Sequence, residues 1–275
     1  MDRVNEFRPP QSHTRWPASS RRASRGFTLP ELLVVVTIIG ILAGIVTTTV
    51  FKAITKAERT AIYTEMTQLG LPMDQLRAKY GSHPPAAIGS AAFRKYFSRM
   101  FPRYNGNLTN DLDAVLGAVD PDYTAGTTRV DLALVFWLAG FSGDPANPLR
   151  DHAARMTGQT TDGWLYDFDK DRLRNGRYAR EDSSPHEERY YIYVDSRSYG
   201  LAGIDGYDLT GYRKGPGNAG DYYNADTYQI INPGRDGQFG SGSGPPVSGL
   251  PYEGFDADNI TNFGGARTLA EFSEE

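Results

Sequence analysis

The sequence predicts an α+β protein: a long N-terminal α-helix, membrane-spanning in its first half, packed on a globular domain of short helices and an antiparallel β-sheet. Three observations carry this prediction. Residues 32–51 hold no charged side chain, which as a helix is enough to cross the hydrocarbon core of a bilayer, about 30 Å thick. An apolar stripe then continues at helical spacing through Ile62, Met66, Leu69, Met73, Leu76 and Tyr80, with polar residues opposite it. Beyond the stripe, amphipathic segments come first and runs rich in Tyr, Ile and Val come later, the order expected of α+β rather than of alternating units.

The elements follow in order. Residues 1–26 form a basic leader with six arginines against Asp2 and Glu6. Residues 27–51 are the spanning helix and 52–80 its amphipathic continuation, together about 80 Å of helix. Gly70-Leu71-Pro72 should kink or briefly break it, and the stretch "YGSHPP" ends it. Gly40 and Gly44 form a GxxxG pair, a pattern that permits close helix approach. Residues 81–275 make the globular domain. There "AAFRKYFSRMFPRY" and "LTNDLDAVLGAV" read as amphipathic helices, and "RVDLALVFWLAGF" as a buried helix too short to span a membrane. Strands are predicted at "GWLYDF", "RYYIYVDS" and "TYQIIN", each bounded by turn residues.

The chain has 29 basic and 33 acidic residues, a net charge of −4, four histidines and no cysteine. Because the leader is strongly basic, the remainder is more acidic than the total. That argues against nucleic acid as a main partner, since phosphate contact needs basic faces. The absence of cysteine excludes a disulfide framework, a thiolate nucleophile and a zinc–thiolate site. His13 lies in the leader. His83, His152 and His186 lack metal-ligand spacing and read as ordinary loop residues. With 33 acids, chance carboxylate pairs are unavoidable; no catalytic residue is assigned, and the chain reads as non-enzymatic.

Glu31 is out of place in this pattern. It stands just before the uncharged run, inside the spanning helix, where a carboxylate is costly and usually has a task. A cleavable secretory signal would have a shorter apolar core followed by a small-x-small site; a twin-arginine signal built on Arg21-Arg22 would not continue into an uninterrupted helix; a plain anchor leaves the acid unexplained. The stretch "RGFTLPELLVVVTIIGILAGI" resembles the N-terminal signal of type IV pilins and type II secretion pseudopilins. The resemblance implies that a prepilin peptidase cuts between Gly26 and Phe27, removes residues 1–26 and N-methylates Phe27. Glu31 is then one helical turn from the new ammonium. Within a filament its carboxylate pairs instead with the ammonium of a neighbouring subunit, and because a buried charge is tolerable only when paired, Glu31 acts as a register device. Pro30 replaces the more usual aliphatic residue, in the first turn, where its missing N–H costs little.

The positive leader is expected to stay cytoplasmic, which makes the chain a single-pass protein of the inner membrane with a periplasmic globular domain, later incorporated into a filament. The partners this implies are the prepilin peptidase, other copies of the chain, other pseudopilins or pilins, the inner membrane and the secretion or pilus assembly machinery.

A second resemblance concerns "YQIINPGRDGQFGSGSGPPVSGLPYEGFDADNITNF". An apolar strand runs to Asp236-Gly237, a Gly/Ser/Pro loop follows, and then Asp256-Ala257-Asp258. Calcium takes six to eight oxygens from carboxylates and carbonyls and accepts irregular loops. The arrangement resembles the calcium loop of the major pseudopilin of type II secretion. Carried over, Asp236 and Asp258 supply the side-chain ligands, with carbonyls near Pro233 and Gln238; the insertion of Asn259 before Ile260 leaves Asp256 as the alternative to Asp258. Calcium is the expected cofactor, and an acidic surface turn without metal is the competing reading. Asp167, Asp169 and Asp171 alternate in "DFDKDRLRNG", but the glycine and glutamate of an EF-hand loop are missing, so they read as a solvated face.

The expected function is that of a structural subunit of a type II secretion pseudopilus-like filament that supports protein export. Two alternatives stay open: a type IV pilus subunit serving adhesion, motility or DNA uptake, and a membrane-anchored binding protein or hydrolase with a pilin-type leader.

Overall fold

The computed structural model describes residues 27–181, 189–200, 211–214, 221–240 and 252–273; the leader, Gly26, His186 and residues 241–251 of the acidic loop lie outside them. The chain divides into two compact units, Met1–Phe51 and Lys52–Glu275.

Helix α1 (Leu29–Tyr80) runs through both. In the first unit all of its residues are exposed, and α1 is the one helix among the described residues long and apolar enough to cross a membrane. Its threonines suit that setting. The hydroxyls of Thr37, Thr47 and Thr49 donate to the carbonyls of Leu33, Ala43 and Ile45, so none seeks a partner in lipid.

In the second unit the continuation of α1 buries Ile62, Met66, Leu69, Met73 and Leu76 along the predicted stripe. The expected break at Gly70-Leu71-Pro72 is absent: the segment stays helical. Pro72 withholds one N–H from the ladder, while Leu69 and Met73 beside it are completely buried, and that packing holds the turn. The helix ends where Gly81 turns to φ +81°, the left-handed conformation that terminates many helices.

The short helices are set by their caps. Ser90 accepts the Phe93 amide ahead of α2 (Ala91–Met100), and Asn107 accepts the Thr109 and Asn110 amides ahead of α3 (Leu108–Val119), as N-cap residues do. Helix α4 (Ala133–Leu138) is wholly buried but shorter than predicted, because Arg129 and Asp131 before it join a buried ion cluster with Asp120 and Arg177 and Gly140 after it has φ +66°. α5 (His152–Met156) and α6 (Leu269–Ser273) complete the set.

Among the described residues there are two antiparallel sheets. β1 (Leu173–Arg174) and β2 (Arg177–Tyr178) form a hairpin whose turn residues Asn175 and Gly176 both have positive φ, the requirement of a type I′ turn. The larger sheet has the order β3 (Ile192–Asp195), β4 (Tyr228–Asn232), β5 (Ile260–Thr261). Predicted strands at 189–196 and 227–232 correspond to β3 and β4. The predicted strand at 163–168 is a turn instead; Trp164, Tyr166 and Phe168 pack edge-on in an aromatic cluster, and among the described residues no strand pairs with them. Asp167, Asp169 and Asp171 are exposed, and Asp169 caps a short 3₁₀ turn.

Two histidines are not the ordinary loop residues expected. His83 is buried and bonded to Asp74 at 2.9 Å. His152 opens α5 and is wholly buried, its ring stacked on Phe141. Burial first, and the nearby Arg155 charge second, push its pKa down to about 3.

Candidate functional site

The first candidate site is the start of α1. Thr28 is the residue before the helix, and Glu31 is its third residue. The Thr28 amide donates to Glu31 Oε2 at 2.9 Å and the Thr28 hydroxyl to the same oxygen at 2.7 Å, while the Glu31 amide points back at Thr28 Oγ1 from 3.4 Å. This is a capping box, readable in the sequence as Thr-x-x-Glu. It starts the helix at Leu29 and leaves the Phe27–Thr28 backbone outside it. It also uses only one carboxylate oxygen. Among the described residues Glu31 Oε1 has no partner, so one carboxyl oxygen remains available as an acceptor in a helix otherwise without charge up to Phe51. Phe27 is exposed at 82%.

The second candidate site lies where β4 runs out beside β5. Asp258 Oδ2 accepts the amides of Arg235 (2.6 Å) and Asp236 (3.1 Å). Asp236 accepts the Gln238 amide at 2.8 Å. Asp256 is buried and accepts the Tyr212 hydroxyl at 2.7 Å, which in turn receives Asn259 Nδ2 at 2.6 Å. Two glycines make this approach feasible: a side chain at Gly234 would fall 2.5 Å from the Asp258 carboxylate carbon, and one at Gly240 would collide with the Asp256 carboxylate. Partial burial, then the charges of Asp258 and Asp256, raise the Asp236 carboxyl above its ordinary value against the pull of the Gln238 amide and Arg189.

The donor set is oxygen-rich and incomplete. Asp258 Oδ1, both polar atoms of Asn232 and Asn259 Oδ1 are buried without a hydrogen-bond partner among the described residues. Buried acceptors are normally satisfied, and the three oxygens, Asp258 Oδ1, Asn232 Oδ1 and Asn259 Oδ1, suit a hard cation, while Asn232 Nδ2 is a donor. Among the described residues, however, no three acid or histidine side chains converge enough to hold a metal, so a cation here would have to draw most of its oxygens from amides and backbone. The carbonyls of Gly234 and Arg235 are taken, by Arg180 and Arg189; among the described residues no hydrogen bond occupies those of Pro233 or Gln238. The sequence reading gave Asn232, Asn259 and Tyr212 no part in the site, because their contacts join segments far apart in the chain.

Residues 21–47 match the family model described as the prokaryotic N-terminal methylation motif. That match spans Gly26, Phe27, Glu31 and most of the uncharged run. No curated protein and no solved structure matches the chain.

Proposed function

We propose, from the type IV pilin-like methylation signal that opens the chain, that this protein is a structural subunit of a type II secretion pseudopilus-like filament. The observation that carries the reading is Glu31: among the described residues a lone ionisable group up to Phe51, half its acceptor capacity unused, at the start of an exposed apolar helix and inside the matched signal. Prepilin peptidase cuts between Gly26 and Phe27 and methylates the new amine. Subunits then leave the inner membrane side by side, with Glu31 Oε1 of one receiving the Phe27 ammonium of another. The globular unit projects into the periplasm. The acidic loop favours secretion over a pilus role: Asp236 and Asp258, with the Pro233 and Gln238 carbonyls, bind calcium, and Asp256 stands in reserve beside Tyr212.

One experiment compares the wild-type chain with Glu31→Ala. Both should give a mature protein beginning at N-methylated Phe27, because removing the acid makes the segment more apolar and leaves Gly26 in place. Only the wild type should give filaments in sheared fractions under the electron microscope, since breaking a buried pair costs roughly 3–5 kcal/mol. A mature mass that retains Met1 refutes the processing, and normal filaments from the alanine variant refute the pairing.

A further inference from the structure

A cation in the acidic loop would leave one buried atom there unused. Asn232 closes β4 and has no exposed surface, and neither polar atom of its side chain has a hydrogen-bond partner among the described residues. A metal can take Oδ1, but Nδ2 is a donor and no metal satisfies it. Buried polar atoms left in that state are rare. The next residue gives this one a use. Pro233 has no backbone N–H, so its nitrogen cannot attack the asparagine side chain as the nitrogen of another following residue can. The attack that remains open is the reverse one, by Nδ2 on the Asn232 carbonyl carbon. Both atoms belong to one residue and close a five-membered ring, so no second reactant has to be brought up, the case in which proximity contributes most.

We propose that the chain cleaves itself between Asn232 and Pro233. Nδ2 forms a bond to the Asn232 carbonyl carbon, and the bond from that carbon to the Pro233 nitrogen breaks. One proton leaves Nδ2 and one arrives on the Pro233 nitrogen, so nothing is oxidised or reduced. The first product ends in a succinimide at residue 232, and the second begins with the free amine of Pro233. Water then opens the succinimide to a C-terminal asparagine or its isomer. The same dipeptide occurs at Asn147-Pro148, but Asn147 is exposed and its Nδ2 donates to Asp144 at 2.8 Å, so that bond should stay whole. Pro233 and Gly234 are buried, which denies a protease this bond in the folded chain. After the break the C-terminal piece stays docked. Asn232 and Ile231 still pair with Ile260 and Thr261, the Ile230 amide still donates to Asn262 Oδ1 at 3.0 Å, and Glu271 still holds Arg59 at 2.7 Å. What gains freedom is the start of the acidic loop. The step requires neither the filament role nor calcium.

The full chain, purified in detergent with inhibitors of every protease class, is incubated for days and followed by intact mass under denaturing conditions. A fragment 233–275 with a free proline amine should accumulate. Its partner should end at Asn232 and start one water lighter than the acid, the mark of the succinimide. No cut should appear after Asn147. Asn232→Gln, which would need a six-membered ring, should lose the fragment. Because that variant can misfold, the wild-type chain is also incubated in urea, where the fragment should form at least about tenfold more slowly as the buried setting of Nδ2 is lost. A chain that stays whole, a cut shared equally by Asn232 and Asn147, equal rates in buffer and urea, or undiminished cleavage of Asn232→Gln each overturns the proposal.

Discussion

A glycine inside a helix normally costs about 1 kcal/mol relative to alanine, yet α1 places Gly70 in its buried stretch. The reason is contact: a methyl group at this position would come within 2.5 Å of the Tyr228 hydroxyl. Overpacking of that kind costs about 1–3 kcal/mol, so the clash offsets or outweighs the propensity gain. Gly70→Ala should therefore leave residues 52–275 no more stable, and up to about 2 kcal/mol less stable, in urea unfolding. In a Tyr228→Phe background, where the obstructing oxygen is gone, the same substitution should stabilise by close to the full propensity term, a coupling of the sort double-mutant cycles resolve. Equal effects in both backgrounds contradict the contact. The two histidines make a related point in reverse. Polar neighbours in the sequence suggested exposure for His83 and His152, but polarity along the chain says nothing about what packs over a ring from elsewhere, and both are buried.

At the level of elements, what could be read in advance was what is local. The stripe from Ile62 to Leu76 and the segments that became α2, α3, β3 and β4 follow from spacing and caps within a few residues of each other. The β1–β2 hairpin was not predicted although Asn175-Gly176 is the strongest short signal for a two-residue hairpin turn, because its flanking strands are only two residues each. The false strand at 163–168 had the right composition but no partner, a fact held by the rest of the fold. This hairpin is tied to α1 by Glu65. Its carboxylate receives Arg172 at 2.6 and 2.8 Å, the Tyr191 hydroxyl at 2.6 Å and the Tyr178 hydroxyl at 3.2 Å, while the Arg172 guanidinium lies over the Tyr178 ring. Glu65→Gln keeps the shape but strips the charge from a half-buried guanidinium. Bonds to charged groups are worth about 1.5–3 kcal/mol, so a loss of about 2–3 kcal/mol is expected in urea unfolding, and Glu65→Gln with Arg172→Met should cost less than the sum of the single changes. Strict additivity would mean the pair contributes nothing as a pair.

Across the whole molecule, the two candidate sites differed in how far the sequence disclosed them. The signal and Glu31 stand within one short stretch, so the resemblance to a pilin-type signal was legible from contiguous residues. The acidic loop brings together β4, β5 and Tyr212, and its atoms on Asn232, Asp258 and Asn259 without a partner among the described residues emerge only once those segments meet. The loop also reaches α1, through Arg235 and Glu58 at 3.4 Å, and the C-terminal helix α6 reaches it through Arg59 and Glu271 at 2.7 Å. Stabilising the loop therefore stabilises the unit that contains these contacts. A cation that binds only the folded state adds roughly 2.7 kcal/mol when free ligand is a hundredfold above its dissociation constant, and extracellular calcium modules work at about 10⁻⁴ to 10⁻³ M. Residues 52–275 should accordingly melt higher in millimolar calcium than in chelator and respond little to equal magnesium, which dehydrates reluctantly and demands octahedral geometry. Asp236→Ala and Asp258→Ala should each remove most of the difference, Asp169→Ala none. If Asp256→Ala removes it and Asp258→Ala does not, the ligand is the buried acid beside Tyr212. A wild-type unit that melts at one temperature with calcium and with chelator leaves the loop as an acidic turn, its unsatisfied oxygens unexplained by any metal.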